Sequence, residues 1–211
     1  MTDRLVFAKI NGWEDTLAQM QWGVRGYPTL ILMSADAVEI DRVPGFLPPE
    51  EFVATVEDYL AGRGTLDELL SRRAQHPDSL GILMQIGEKY QYRGLDTLAE
   101  AAYREVLTLD PENRSGKADT ALHALARVAF GAGPAHYDTA IARFSALRER
   151  FPKSGLVEDA QTYVPYILAR QEKYDLAMAR YEQFLVDFPN STEVDWVKKQ
   201  MEGIIKKTQN P

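Results

Sequence analysis

The chain has 211 residues, of which 45% are apolar and 26% charged, with a formal net charge of −7. These are the proportions of an ordinary globular chain and exclude a disordered or collagen-like one. It contains no cysteine, which excludes thiol nucleophiles, dithiol exchange, iron–sulfur clusters and cysteine zinc sites within these residues.

The first sixty residues read as mixed α/β. Leu5–Ile10 has the length of a short strand, and Glu14–Trp22 the polarity of an amphipathic helix of a turn or two. Thr29 leads into the continuous apolar run Leu30–Met33, which predicts a strand covered on both faces. Ala35-Asp36 makes a turn, and Glu39–Val43 alternates polar and apolar as an edge strand does. Pro44 suits an edge, since a central strand needs the amide hydrogen that proline lacks. Pro48-Pro49 opens a helix with Glu50 and Glu51 in its first turn, favoured by the helix dipole. Phe52, Val56, Tyr59 and Leu60 form its inward stripe, and Gly62 and Gly64 end it.

Three stretches here resemble the C-terminal half of a thioredoxin-like domain: Val6 to Asn11, Gly23 to Leu30 with Tyr27-Pro28-Thr29 in it, and Val43-Pro-Gly-Phe-Leu-Pro-Pro-Glu-Glu-Phe. The resemblance implies a cis bond at Pro28, a site where Tyr27 offers backbone groups to an extended peptide. The Trp-Cys-x-x-Cys turn and the first strands of that family have no counterpart, so the unit is a truncated one and redox chemistry is not carried over. The missing strand leaves one edge of Leu30–Met33 to be filled. Leu5–Ile10 can fill it through a crossover helix at Glu14–Trp22, which is the expected closure. The alternative is the same strand of a second copy, giving a homodimer through the incomplete sheet.

From Thr65 onward the period is helical. Leu66–Ala74 predicts a connecting helix ahead of Pro77. Helical stretches then close at Pro111, Pro152 and Pro189, and twelve residues before each stands an alanine: Ala99, Ala140 and Ala177. Eight residues before each stands an aromatic: Tyr103, Phe144 and Tyr181. This pattern resembles the second helix of tetratricopeptide repeats, and Leu83, Ile86, Gly87 and Tyr90 complete the first repeat in the first helix. The second repeat spans about 119–152 with a lengthened turn at Gly131–Pro134. The third spans about 158–189, with Pro165 inside its first helix, where proline removes a hydrogen bond. Glu193–Lys207 reads as a capping helix with Val194, Val197, Met201 and Ile204 or Ile205 inward.

The fold expected is therefore mainly α: a truncated thioredoxin-like α/β unit over 1–62, a connecting helix over 63–77, and an α-solenoid of about three tetratricopeptide-like helix pairs with a capping helix over 78–211. The whole resembles bacterial thioredoxin-family proteins that carry a C-terminal tetratricopeptide domain.

No constellation for catalysis stands out. His76, His123 and His136 lack a ligand partner at helical spacing, no nucleophile elbow is present, and Asn113-Arg-Ser-Gly-Lys reads as a loop rather than a phosphate cradle. Asn190-Ser191-Thr192 reads as a loop and N-cap. Neither catalytic residue, metal nor cofactor is expected. The inward positions of the first helices supply the candidate partner-binding set: Met84, Glu88, Gln91 and Tyr92 in the first repeat, His123, Arg127 and Phe130 in the second, Tyr166 and Arg170 in the third. Aromatics and arginine are the residues that interfaces enrich. Among basic residues only Lys198, Lys199, Lys206 and Lys207 cluster, beside Glu202, so nucleic-acid binding is not expected.

The reading is a non-enzymatic interaction module or scaffold that holds a protein or peptide in the repeat groove, next to a redox-inactive thioredoxin-like remnant. The alternative is a fragment of a thiol-disulfide oxidoreductase whose Cys-x-x-Cys half lies upstream. No apolar run is long enough to span a bilayer and no leader pattern opens the chain, which gives a cytoplasmic expectation. A missing upstream segment would change it to the periplasm or envelope.

Overall fold

The computed structural model describes residues 5–12 and 14–209. The chain falls into two compact units, Met1–Ala102 and Tyr103–Pro211, each described by itself.

The first unit begins without regular structure over residues 5–12, followed by α1 (Thr16–Gln21), whose N-cap Asp15 accepts from the Ala18 amide. Strands β1 (Thr29–Met33) and β2 (Glu39–Pro44) form an antiparallel hairpin with Leu30 opposite Val43 and an irregularity between Leu32 and Met33. The Tyr27–Pro28 bond is cis. Helix α2 (Pro49–Leu60) starts on proline with Glu50 and Glu51 in its first turn and buries Val56. Thr65 caps α3 (Leu66–Gln75) by accepting from the Glu68 amide. Helix α4 (Leu80–Tyr92) follows, and Leu69, Ile82, Ile86 and Ala102 make a small apolar core. Helix α5 (Asp96–Leu109) runs from the first unit into the second.

The strand expected at Leu5–Ile10 does not form, and among the described residues the sheet has two strands. Val6, Phe7 and Ile10 are exposed at 100%, 58% and 59%. The chain after α1 is held elsewhere, by polar contacts. Arg42 Nη1 donates to the Trp22 and Tyr92 carbonyls at 3.0 and 2.8 Å, and Arg25 grips Asp96 with two bonds of 2.6 and 2.7 Å. Gly23, at φ +58°, lies so close to α4 that a Cβ there would stand 2.3 Å from the Arg93 carbonyl oxygen. Position 23 therefore requires glycine both for its left-handed backbone and for space. The apolar run of β1 is not covered on both faces, for only Leu32 in it is buried.

Between β2 and the helices sits a cluster of buried charge. Asp41 is fully buried; its carboxylate accepts from the amides of Arg42 and Leu66 at 2.7 and 2.9 Å and meets Lys89 Nζ at 3.0 Å and Arg93 Nη2 at 3.2 Å. Glu39 holds Arg42 through two bonds of 2.8 and 2.6 Å and meets Arg93 Nε at 3.2 Å. Lys89 also donates to the Tyr59 hydroxyl of α2 and lies over its ring. A carboxylate buried this deeply persists because its partners are numerous and well placed.

The second unit is an α-solenoid: α6 (Ala118–Gly131), a 3-10 turn at Pro134–His136, α7 (Tyr137–Arg150), α8 (Val157–Arg170), α9 (Tyr174–Asp187) and α10 (Val194–Gln209). The loop before α6 is tied to itself. Asp110 accepts from the Arg114 amide, the Ser115 amide and the Ser115 hydroxyl, and the hydroxyl above all holds its carboxyl below the usual carboxylate range. Asn113, at φ +53°, turns its Oδ1 to the Ala118 and Asp119 amides and so caps α6. In α7 and α9 the pattern read from the sequence is fully buried: Ala140 and Phe144 in one, Ala177 and Tyr181 in the other, all at 0% exposure. Helix α8 runs from Val157 to Arg170 with Pro165 buried inside it. In α10, Val197 and Ile204 are buried and Ile205 is exposed, which resolves the inward residue as Ile204.

Two outcomes follow. Asp41→Ala leaves Lys89 and Arg93 facing a buried gap and should destabilise the first unit by about 3 kcal/mol or more, seen as a lowered first transition in denaturant unfolding; an unchanged midpoint would show that the cluster is not a support. The Tyr181 hydroxyl is buried with no partner among the described residues, so Tyr181→Phe should be neutral or stabilising by about 1 kcal/mol. A lowered melting temperature would show that the hydroxyl is satisfied.

Candidate protein-binding groove

Three helices build the site. Alanine-rich α6, capped by Asn113, places His123, Arg127 and Phe130 at helical spacing on one side. Helix α8 opens with Glu158 and Asp159, stabilised near the positive end of the helix dipole, and carries Thr162, Tyr163, Tyr166 and Arg170 further along. Ser191 precedes α10; its hydroxyl accepts from the Glu193 amide and donates to Glu158 at 2.5 Å, joining the starts of α8 and α10. Trp196 follows in the first turn of α10.

Phe130, Asp159, Thr162, Tyr163, Tyr166, Glu193 and Trp196 line a concave pocket of about 300 Å³. Its rings form a connected set. Phe130 meets Tyr163 at 5.7 Å and Tyr166 at 6.0 Å between centroids, both edge-on, and Tyr166 meets Trp196 at 6.1 Å. Such edge-on pairs are favourable beyond the area they bury. Behind them Phe144, from the repeat pattern, stacks on Tyr163 at 4.6 Å, and Tyr181 packs edge-on against Trp196 at 6.2 Å. The repeat's fully buried aromatics thus support the pocket's half-buried ones.

Of the residues expected at the groove, Phe130 and Tyr166 meet in this pocket. His123 lies behind it: it is buried, its Nε2 is 2.6 Å from Asp159 Oδ2, and its ring packs edge-on against Phe144 and Tyr163. Arg127 is exposed on α6. Arg170 donates to the Tyr166 hydroxyl at 3.3 Å and lies 5.9 Å from the Tyr137 and Tyr166 rings; that hydroxyl holds its guanidinium protonated, above its already high ordinary value. The four residues of the first repeat lie in the first unit. There Met84 is buried in α4, Gln91 is half-buried, and Glu88 and Tyr92 are exposed and line a second concavity with Arg42, Tyr59, Arg72 and Lys89. Tyr27 is 46% exposed, and the Pro28 carbonyl is taken by the Gly45 amide at 2.7 Å.

The sequence reading missed Asp159, Thr162, Tyr163, Glu193 and Trp196. Tyr163 and Asp159 could have been found by stepping back three and seven residues from Tyr166 along one face of α8. Trp196 was hidden because α10 read as a cap, whereas it stands beside α8 as a further first helix would.

Residues 2–60 match the family of thioredoxin-like domains. Residues 118–209 match the YfiO family of outer membrane lipoproteins. The chain is similar to both. Its second match covers α6 to α10 and therefore the whole pocket. A solved structure titled "Crystal structure of MamA" is similar at 14% identity, with a TM-score of 0.49, over 78% of this chain and 97% of that one. No curated protein matches. A thioredoxin-like segment followed by tetratricopeptide-like helical repeats is thus the architecture of this chain, and no described helix is long and apolar enough to cross a membrane.

Proposed function

We propose that this chain is a non-enzymatic protein-interaction scaffold whose partner occupies the groove of α6, α8 and α10. The observation that carries this reading is the pocket of four aromatic rings, Phe130, Tyr163, Tyr166 and Trp196, open to solvent and braced from behind by Phe144 and Tyr181. Clustered aromatics in a supported concavity are what binding hot spots are made of. The segment over 1–62, followed by a connecting helix over 63–77, acts as a thioredoxin-like remnant without thiol chemistry, since these residues include no cysteine. The likeness of 118–209 to outer membrane lipoproteins supports an envelope location over a cytoplasmic one. The second concavity, with Glu88 and Tyr92, is a lesser site of the first unit.

A photo-crosslinking amino acid placed at Tyr166 should trap a discrete protein adduct in cells, while the same group at exposed Glu182 on α9 should not. Equal adducts from both positions, or adducts from position 182 alone, would overturn the groove.

A second copy is a further partner that one observation favours: among the described residues β1 pairs only with β2, while apolar Val6, Phe7 and Ile10 lie exposed on the segment expected to pair there. Exchange of that segment between copies gives a sedimentation mass about twice 23.8 kDa at micromolar concentration; a monomer there excludes the exchange.

A further inference from the structure

The pocket's chemistry narrows what side chain it receives, an inference that rests on the groove reading above. We propose that it takes the guanidinium of an arginine from an extended segment of the partner. Its volume of about 300 Å³ is at the bottom of the range for small-molecule sites and suits one long side chain. The lining contains two carboxylates, Asp159 and Glu193, and no lysine or arginine. The acids alone would say little, because both stand at helix starts where the dipole favours them. The four rings are the independent observation. Aromatic faces carry negative charge density and attract cations, so rings and carboxylates point to the same occupant. An anionic side chain would meet repulsion from both, and an apolar one would leave the carboxylates to be desolvated without a partner.

Asp159 is able to receive it. His123 engages Oδ2, yet the side chain remains 52% exposed, and a carboxylate offers about four acceptor positions. Arginine fits better than lysine because its planar fork bonds a carboxylate while its face stacks on a ring. The ring half of this arrangement already occurs once: the chain's own Arg170 lies over Tyr137 and Tyr166 and bonds the Tyr166 hydroxyl. Arg170 stands eleven residues beyond Asp159 on α8, about 16 Å along the axis. Its guanidinium is held at the Tyr166 hydroxyl and does not line the pocket, which leaves the end formed by Asp159, Glu193 and Trp196 for the incoming cation.

The test uses the full chain and five capped pentapeptides, Gly-Ser-X-Ser-Gly, with arginine, citrulline, lysine, leucine or glutamate at X. The readout is the indole N–H resonance of Trp196, assigned by its loss in Trp196→Phe. The arginine peptide should shift it saturably and bind at least ten-fold tighter than the citrulline peptide, which has the same shape without the charge. Glu193→Gln, an exposed change that leaves helical circular dichroism intact, should weaken the arginine peptide several-fold and leave the leucine peptide unchanged. If citrulline, leucine or glutamate binds as well as arginine, the cationic occupant is wrong and the groove stands. If none of the five moves a resonance of α6, α8 or α10 at millimolar concentration, both readings fall.

Discussion

The second unit rests on how closely its paired helices approach. Ala140 and Ala177 are both fully buried with only a methyl group for a side chain, which lets a neighbouring helix come close. One turn later each helix fills the space that opens with a large ring, Phe144 or Tyr181, also at 0% exposure. Close-packed interiors tolerate little change in volume, so this alternation of small and large fixes the spacing of the repeats. It also decides where the groove's rings stand. Phe144 stacks on Tyr163, and Tyr181 abuts Trp196, so the pocket is built directly on the spacer residues of the outer helices.

The first unit is held in a different way. Its apolar core is small, with Leu69, Ile82, Ile86 and Ala102 at its centre, and small cores leave little margin of stability. A buried network of Glu39, Asp41, Arg42, Lys89 and Arg93 joins the hairpin to α4, while the Asp41 bond to the Leu66 amide adds α3. Such a network is directional where apolar contact is not. Arg42 bonds the carbonyls of both Trp22 and Tyr92, which ties two chain turns 70 residues apart in sequence to one guanidinium. This anchoring holds the segment after α1 against the start of α5 and the end of α4.

What the sequence displayed was whatever has a period. Alanine and aromatic at fixed distances before each proline gave the repeats and their register, and the bounds of α3 and α10 lie within a few residues of those read from the chain. The strand at Leu5–Ile10 was misread because its apolar character and length suit a strand that has no partner among the described residues; pairing is a property of two segments, and one segment cannot reveal it. The ion cluster was equally hidden. Asp41 and Arg42 sit in a stretch that reads as an ordinary edge strand, and their partners Lys89 and Arg93 lie on a helix whose polar face looks solvated. For the groove, Phe130 and Tyr166 were legible from helix position. Asp159 was not, because an acid in a first turn already has a sufficient local explanation.

That local explanation and the functional one are compatible, and their overlap is instructive. Asp159 and Glu193 are stabilised where they stand by helix starts, so keeping carboxylates at the mouth of the pocket costs the fold little. The Ser191 hydroxyl joins the two starts through Glu158 and the Glu193 amide, which fixes α10 beside α8 and carries Trp196 to within 6.1 Å of Tyr166. The final helix therefore does more than cover the last repeat. By standing where another first helix would stand, it turns a stripe on α8 into the far wall of a pocket, and a terminal cap becomes half of the site we propose for the partner.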